Sequence, residues 1–121
     1  MTNELDDSRH VLYKGHSFQL AETDEFHHWL GSLADRRAKA RIVDRIKRAS
    51  NGNFGDAKPV GSGVSEMRID YGPGYRVYFF RRGKALVILL CGGDKKSQKA
   101  DIVRAIAMKE EIERSDKGKA V

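Results

Sequence analysis

Residues 64–91 contain three apolar-rich runs separated by two short breaks: VSEMRIDY, then GPG, then YRVYFFRR, then GK, then ALVILLC. Runs of this length, rich in Val, Ile, Tyr and Phe and bounded by glycine, read as strands. Breaks this short join antiparallel neighbours, because a parallel pair needs a crossover of about a dozen residues or more. The sequence therefore predicts an antiparallel meander over residues 64–71, 75–82 and 85–91, around which the rest of the chain must pack.

Strand alternation assigns faces within this meander. Met67, Ile69 and Tyr71 fall on one side, and Glu66, Arg68 and Asp70 on the other. If GPG is a three-residue loop, Tyr71 stands opposite Tyr75, Asp70 opposite Arg76, Ile69 opposite Val77 and Arg68 opposite Tyr78. One face is then apolar, and the other gathers Arg68, Asp70, Arg76 and Tyr78, with Asp70 placed to orient Arg76. Two readings of that polar face stand side by side. It is a solvated surface, whose ion pairs are worth under about 1 kcal/mol, or it is a surface built for an anion. The run ALVILLC is apolar on both sides, so part of the polar face is expected to lie under another element, the last helix.

The flanking segments supply helices. HSFQLAET reads as a first strand, and Thr23 can cap a helix whose first turn holds Asp24 and Glu25. Phe26, Trp29, Leu30 and Leu33 follow at the spacing of one helical face. A second helix over residues 34–50 has a stripe of Ala38, Ile42, Ile46 and Ala49, and a basic coat that includes Arg41, Arg45 and Arg48. NGNFGD and KPVGSG read as loop. A last helix starts near Ser97, with Ile102, Ala105, Ile106 and Ile112 toward the core. Residues 1–15 read as a flexible lead-in, 16–114 as a single domain and 115–121 as a flexible tail. The class is α+β, with an antiparallel-rich sheet of about four strands, two N-terminal helices on one face and a C-terminal helix.

The net charge of +6, with 33% of residues charged, favours a polyanionic partner. The single cysteine, Cys91, excludes an intrachain disulfide and fits a reducing compartment. The N-terminus lacks the basic and apolar regions of a signal peptide, and no apolar run reaches the length of a membrane span, so a cytoplasmic protein with no membrane partner is expected. His27 and His28 are adjacent on a helix and face apart, a poor metal pair; no metal or cofactor is expected. GSG and GPG are turns without the phosphate-loop pattern.

From Phe26 to about Ala107, the ordered set GNFGDAKPVGSGVSEMRI, GPGYRVYF and LLCGGDKKSQKADI resembles the RelE/HigB-like toxins of type II toxin–antitoxin modules, in the phage-derived Gp49-like, addiction module killer protein branch. The resemblance implies a RelE/ParE-like fold and, for many members, a metal-independent, ribosome-dependent endoribonuclease that cuts mRNA. ParE-like relatives act on DNA gyrase instead, and a binding-only module is a further alternative. It also implies an antitoxin partner, with a helix-turn-helix, HigA-like protein expected. Carried over by motif, Arg76 in YRVYF looks like the phosphate-binding arginine, Arg68 in EMRI its neighbour, and Lys95 in GGDKK a basic active-site residue. Tyr78, Lys96, Lys58 and Lys84 are then candidates for substrate contact, and Arg41, Arg45 and Arg48 for contact with ribosome or RNA. The late tyrosine or histidine of some RNA-cutting relatives is missing: no Tyr follows Tyr78 and no His follows His28. A lysine among other cations, such as Lys95, is the remaining proton-transfer candidate.

Overall fold

The computed structural model describes residues 9–120. In chain order the elements are β1 (Arg9–Lys14), β2 (Gln19–Thr23), α1 (Asp24–Ser32), α2 (Arg36–Ser50), β3 (Ala57–Gly61), β4 (Val64–Ile69), β5 (Tyr75–Arg82), β6 (Leu86–Gly93) and α3 (Gln98–Ala120). They build one mixed six-stranded sheet of order β1-β2-β6-β5-β4-β3, in which only the β2–β6 pairing is parallel. No helix among the described residues is long and apolar enough to cross a membrane.

Local chemistry explains the helix starts. The Thr23 hydroxyl accepts from the Phe26 N–H at 3.0 Å and donates to the Leu90 carbonyl at 2.7 Å, tying the start of α1 to the sheet. Asp35 caps α2 by accepting from the N–H groups of Arg37 and Ala38. Both helices contribute to one core layer, where Phe26, Ile42, Ile46 and Ala49 meet Leu20, Met67, Ile69, Val77, Phe79 and Leu89. A second layer lies on the opposite face, where Ala105 and the flanking Ile102 and Ile106 of α3 meet Val64, Tyr78, Phe80, Ile88 and Leu90.

Three expectations need correction. The sheet has six strands rather than about four. The additions are its two edges, β1 and β3, the latter overlapping the KPVGSG segment read as loop. The α3 backbone runs from Gln98 to Ala120. The hairpin register also differs, because Arg68 pairs with Arg76, Ile69 with Tyr75 and Glu66 with Tyr78. The loop is residues 70–74 rather than GPG alone, since Asp70 and Tyr71 leave the ladder and Gly72 and Gly74 take positive φ values of 58° and 80°. The shift is two residues, so the faces are kept: Ile69 and Val77 still share the Phe26 layer.

Two glycines let α1 and α3 close on the same strand end. A Cβ at Gly92 would sit 2.3 Å from the Trp29 ring, and one at Gly93 would sit 1.8 Å from Asp101 Oδ2. The pair at the end of β6 thus brings the start of α3 directly over the arginine-bearing face.

Candidate functional site

That face is not an open surface. Glu66 is fully buried and Arg76 is 7% exposed. Glu66 Oε1 accepts from Arg68 Nε at 3.0 Å. Its Oε2 accepts from the Tyr78 hydroxyl at 3.0 Å and from Gln98 Nε2, at the start of α3, at 2.9 Å. Arg76 Nε lies 3.4 Å from the same oxygen, an ion pair without hydrogen-bond alignment, while its Nη1 donates to the Gly74 carbonyl at 2.9 Å. Burial alone would raise the Glu66 carboxyl; the hydrogen bonds from Gln98, Arg68 and Tyr78, with the charge of Arg76, outweigh it and hold the group below the usual carboxylate range. Arg76 therefore has Glu66 as its orienting partner, not Asp70. The longer loop carries Asp70 out of the ladder to an exposed position.

The 70–74 loop also meets the turn before α3. The Lys95 N–H donates to the Pro73 carbonyl at 3.4 Å, and Gly74 fits between Arg76 and Lys95, where a Cβ would lie 3.5 Å from Arg76 Nη1 and from Lys95 Cβ. A cavity of about 290 Å³ opens at this junction, lined by Asp56, Arg68, Ile69, Asp70, Gly74, Tyr75, Arg76 and Lys95. The three residues assigned to catalysis from the sequence, Arg68, Arg76 and Lys95, share this one cavity. The side chain of Arg68 is 38% exposed and that of Arg76 9%, so Arg68 is the cation open to solvent and Arg76 the enclosed one. Asp56 and Asp70 stand on the same wall. The cavity is a set of donors with acceptors at its rim rather than a bare positive patch.

The remaining candidates disperse. Tyr78 is fully buried, with its hydroxyl held by Glu66, so it has no free face for stacking. Burial and then the Glu66 charge push its phenol well above the ordinary tyrosine value. Tyr75, half-buried, is the aromatic on the cavity wall and also meets the Trp29 ring edge-on at 6.3 Å. Lys96 is exposed in the turn before α3, where its N–H donates to Asp94 Oδ1 at 2.9 Å, and it is not on the cavity wall. Lys58, on β3, lines a different cavity. Lys84 lies in the β5–β6 turn, at the opposite end of β5 from Arg76 and about 20 Å along the strand.

Arg41 and Arg48 are exposed on α2, Arg41 over the Tyr71 ring at 4.7 Å and Arg48 paired with Asp44 at 2.8 Å. Arg45 turns inward. It donates to the carbonyls of Arg68, Phe54 (3.0 Å) and Asp56 (3.3 Å), and so fastens the loop after α2 to the end of β4. It is a brace for the cavity wall rather than part of a free basic coat. Cys91 is buried, and burial pushes its thiol up to about 11, away from nucleophile chemistry.

Glu66, Gln98, Asp56 and Tyr75 belong to the site but were not singled out from sequence. The spacing of Glu66 and Arg68 in EMRI was the one available signal, since it puts both on one strand face.

The family model described as "Phage derived protein Gp49-like" matches residues 28–112, a span that holds α2, β3–β6 and every residue lining the cavity. An uncharacterized protein of Haemophilus influenzae is 50% identical over 96 residues, covering 79% of this chain and 97% of its own length. No solved structure matches the chain. The chain belongs to the phage-derived Gp49-like family.

Proposed function

We propose that this protein is the toxin of a toxin–antitoxin module, RelE/HigB-like in kind, and that it arrests translation by cutting mRNA on the ribosome. The observation that carries the reading is the convergence of Arg68, Arg76 and Lys95 on one cavity, with Arg76 pinned by a buried carboxylate. Family membership supports the toxin assignment.

In this reading the 2′-hydroxyl of the RNA attacks the adjacent phosphorus, its proton goes to a base, and the departing 5′-oxygen takes a proton from an acid. Arg76 and Arg68 stabilise the charge that builds on the phosphoryl oxygens. Arg76 is positioned in advance, and Arg68 can swing from Glu66 to the phosphate. Lys95 and Asp70 share the cavity, and neither side chain has an ion-pair partner among the described residues. They are the candidates for proton transfer. Tyr75 offers a ring to a base. Arg41 and Arg48 supply ribosomal contact, and a helix-turn-helix, HigA-like antitoxin neutralises the protein by covering the cavity. One observation favours a second reading: the cavity holds no imidazole and Tyr78 is closed off, so a ParE-like, non-nuclease toxin acting on gyrase fits the same fold.

Arg76 is buried, so its truncation would open a packed site; the exposed Lys95 and the partly exposed Arg68 are the cleaner positions, probed as Lys95→Ala and Arg68→Gln. Induced expression of the wild-type chain is expected to arrest growth and halt protein synthesis within minutes, and both variants, folded, are expected to relieve the arrest. Arrest with DNA damage signalling and undiminished translation would favour the gyrase reading.

A further inference from the structure

We propose that a second cavity, on the other side of the 55–58 segment, is a subsite for one nucleotide of single-stranded RNA. It rests on the RNA-cutting reading above and names where the strand continues. This cavity measures about 380 Å³, and its working groups are Phe54, Lys58, Phe79 and Arg81. The rings of Phe54 and Phe79 stack at 5.2 Å and 15°. The Arg81 guanidinium lies 4.7 Å over Phe54 and 5.0 Å over Phe18. Phe79 is buried and backs the stack, while Phe54 is half-buried and Arg81 exposed.

The charge in this cavity is of one sign. Several exposed arginines face carboxylates, as Arg48 does Asp44, Arg104 Glu25 and Arg114 Glu111. Arg81 and Lys58 have no carboxylate partner among the described residues, and the lining contains no Asp or Glu. Two unneutralised cations beside stacked planar groups are the chemistry that binds single-stranded nucleic acid, one part for the phosphate and the other for the base. An acidic peptide would use the cations but has no need of the planes.

Placement gives the connection. Asp56 lines the cavity of Arg68 and Arg76, whereas its neighbours Gly55, Ala57 and Lys58 line this one. The two cavities share a wall one backbone segment thick. β3 is the last strand of the sheet, so a polynucleotide can cross it without displacing a paired strand.

The test is binding of the full chain to a fluorescent single-stranded RNA octamer, 2′-O-methylated throughout so that it cannot be cut, followed by anisotropy across a salt series. Lys58→Gln and Arg81→Gln are each expected to weaken binding several-fold and to reduce the log–log salt slope by about 0.7, one single-strand phosphate contact. Phe54→Leu is expected to weaken binding and leave the slope unchanged. Lys58 is exposed, so its variant remains informative if the Arg81 variant folds poorly. Curves for folded Lys58→Gln that coincide with wild type overturn the proposal. So does displacement of the RNA by an equal concentration of oligoglutamate together with a neutral Phe54→Leu, which would mark a protein-docking surface. Because the octamer cannot be cleaved, a chain that proves not to be a nuclease still gives a clear answer here, and loss of cleavage in Lys95→Ala leaves this binding in place.

Discussion

Replacing Glu66 by Gln tests whether the buried carboxylate is what holds Arg76 in place. The substitution keeps shape and removes one charge. Arg68, 38% exposed, can turn to water and loses little. Arg76 cannot, because its side chain is 9% exposed and its neighbours are packed. An uncompensated buried charge costs about 3–5 kcal/mol. An amide also offers only one acceptor oxygen. If that oxygen takes the place that receives Tyr78 and Gln98, the amide N–H₂ group faces Arg68 Nε, donor against donor. A domain of this kind is stable by about 5–15 kcal/mol, so the change removes a large share. With a urea dependence of about 1–3 kcal/mol/M, the unfolding midpoint should fall by at least about 1 M. Adding Arg76→Met to Glu66→Gln takes away the stranded charge and should restore most of the loss, a coupling of about 2 kcal/mol or more. A Glu66→Gln protein within about 1 kcal/mol of wild type, or a double variant no better than the single one, would refute the pairing.

Further predictions concern acid, packing and the basic helix. The Glu66 carboxyl is held below its unfolded value, so its contribution is complete above about pH 4.3 and is lost as pH falls through the lower folded value; urea midpoints at pH 3 and pH 6 should diverge more for wild type than for Glu66→Gln. Gly93→Ala should cost about 1–3 kcal/mol or more by driving Asp101 and the start of α3 off the sheet, seen as a lowered melting temperature together with loss of growth arrest. Arg45→Gln should destabilise by about 1.5–3 kcal/mol through its lost carbonyl contacts, whereas Arg41→Gln with Arg48→Gln should leave stability unchanged and flatten the salt dependence of ribosome co-sedimentation.

Much of the fold could be read from the chain because hydrophobic periodicity survives errors of register. The 70–74 loop is two residues longer than GPG alone, and a slip of two keeps every side chain on its face. Arg68 and Arg76 therefore share a face under either register, although the partner inferred for Arg76 was the wrong acid. Periodicity is silent on whether a face is covered. Burial of Glu66, Arg76 and Tyr78 depends on α3 closing over them, and that approach hangs on Gly92 and Gly93 and on packing across the whole chain. The edge strands escaped for a different reason. β3 contains Pro59 and Gly61, both poor strand formers, and they are tolerated because an edge leaves one side of the ladder unpaired. Arg45 has the same helical spacing as its exposed neighbours; only the passage of the 54–56 loop beside it turns a surface residue into a brace.

The most direct test of the account is the chemistry of the RNA ends. Purified protein is added to ribosomes translating a reporter mRNA, and the fragments are mapped and their termini identified. The account predicts discrete cuts within the translated region, with 2′,3′-cyclic phosphate and 5′-hydroxyl ends, that are abolished in folded Lys95→Ala and strongly reduced in Arg68→Gln. Intact mRNA in the presence of wild-type protein, or cuts that persist unchanged in both variants, would contradict it.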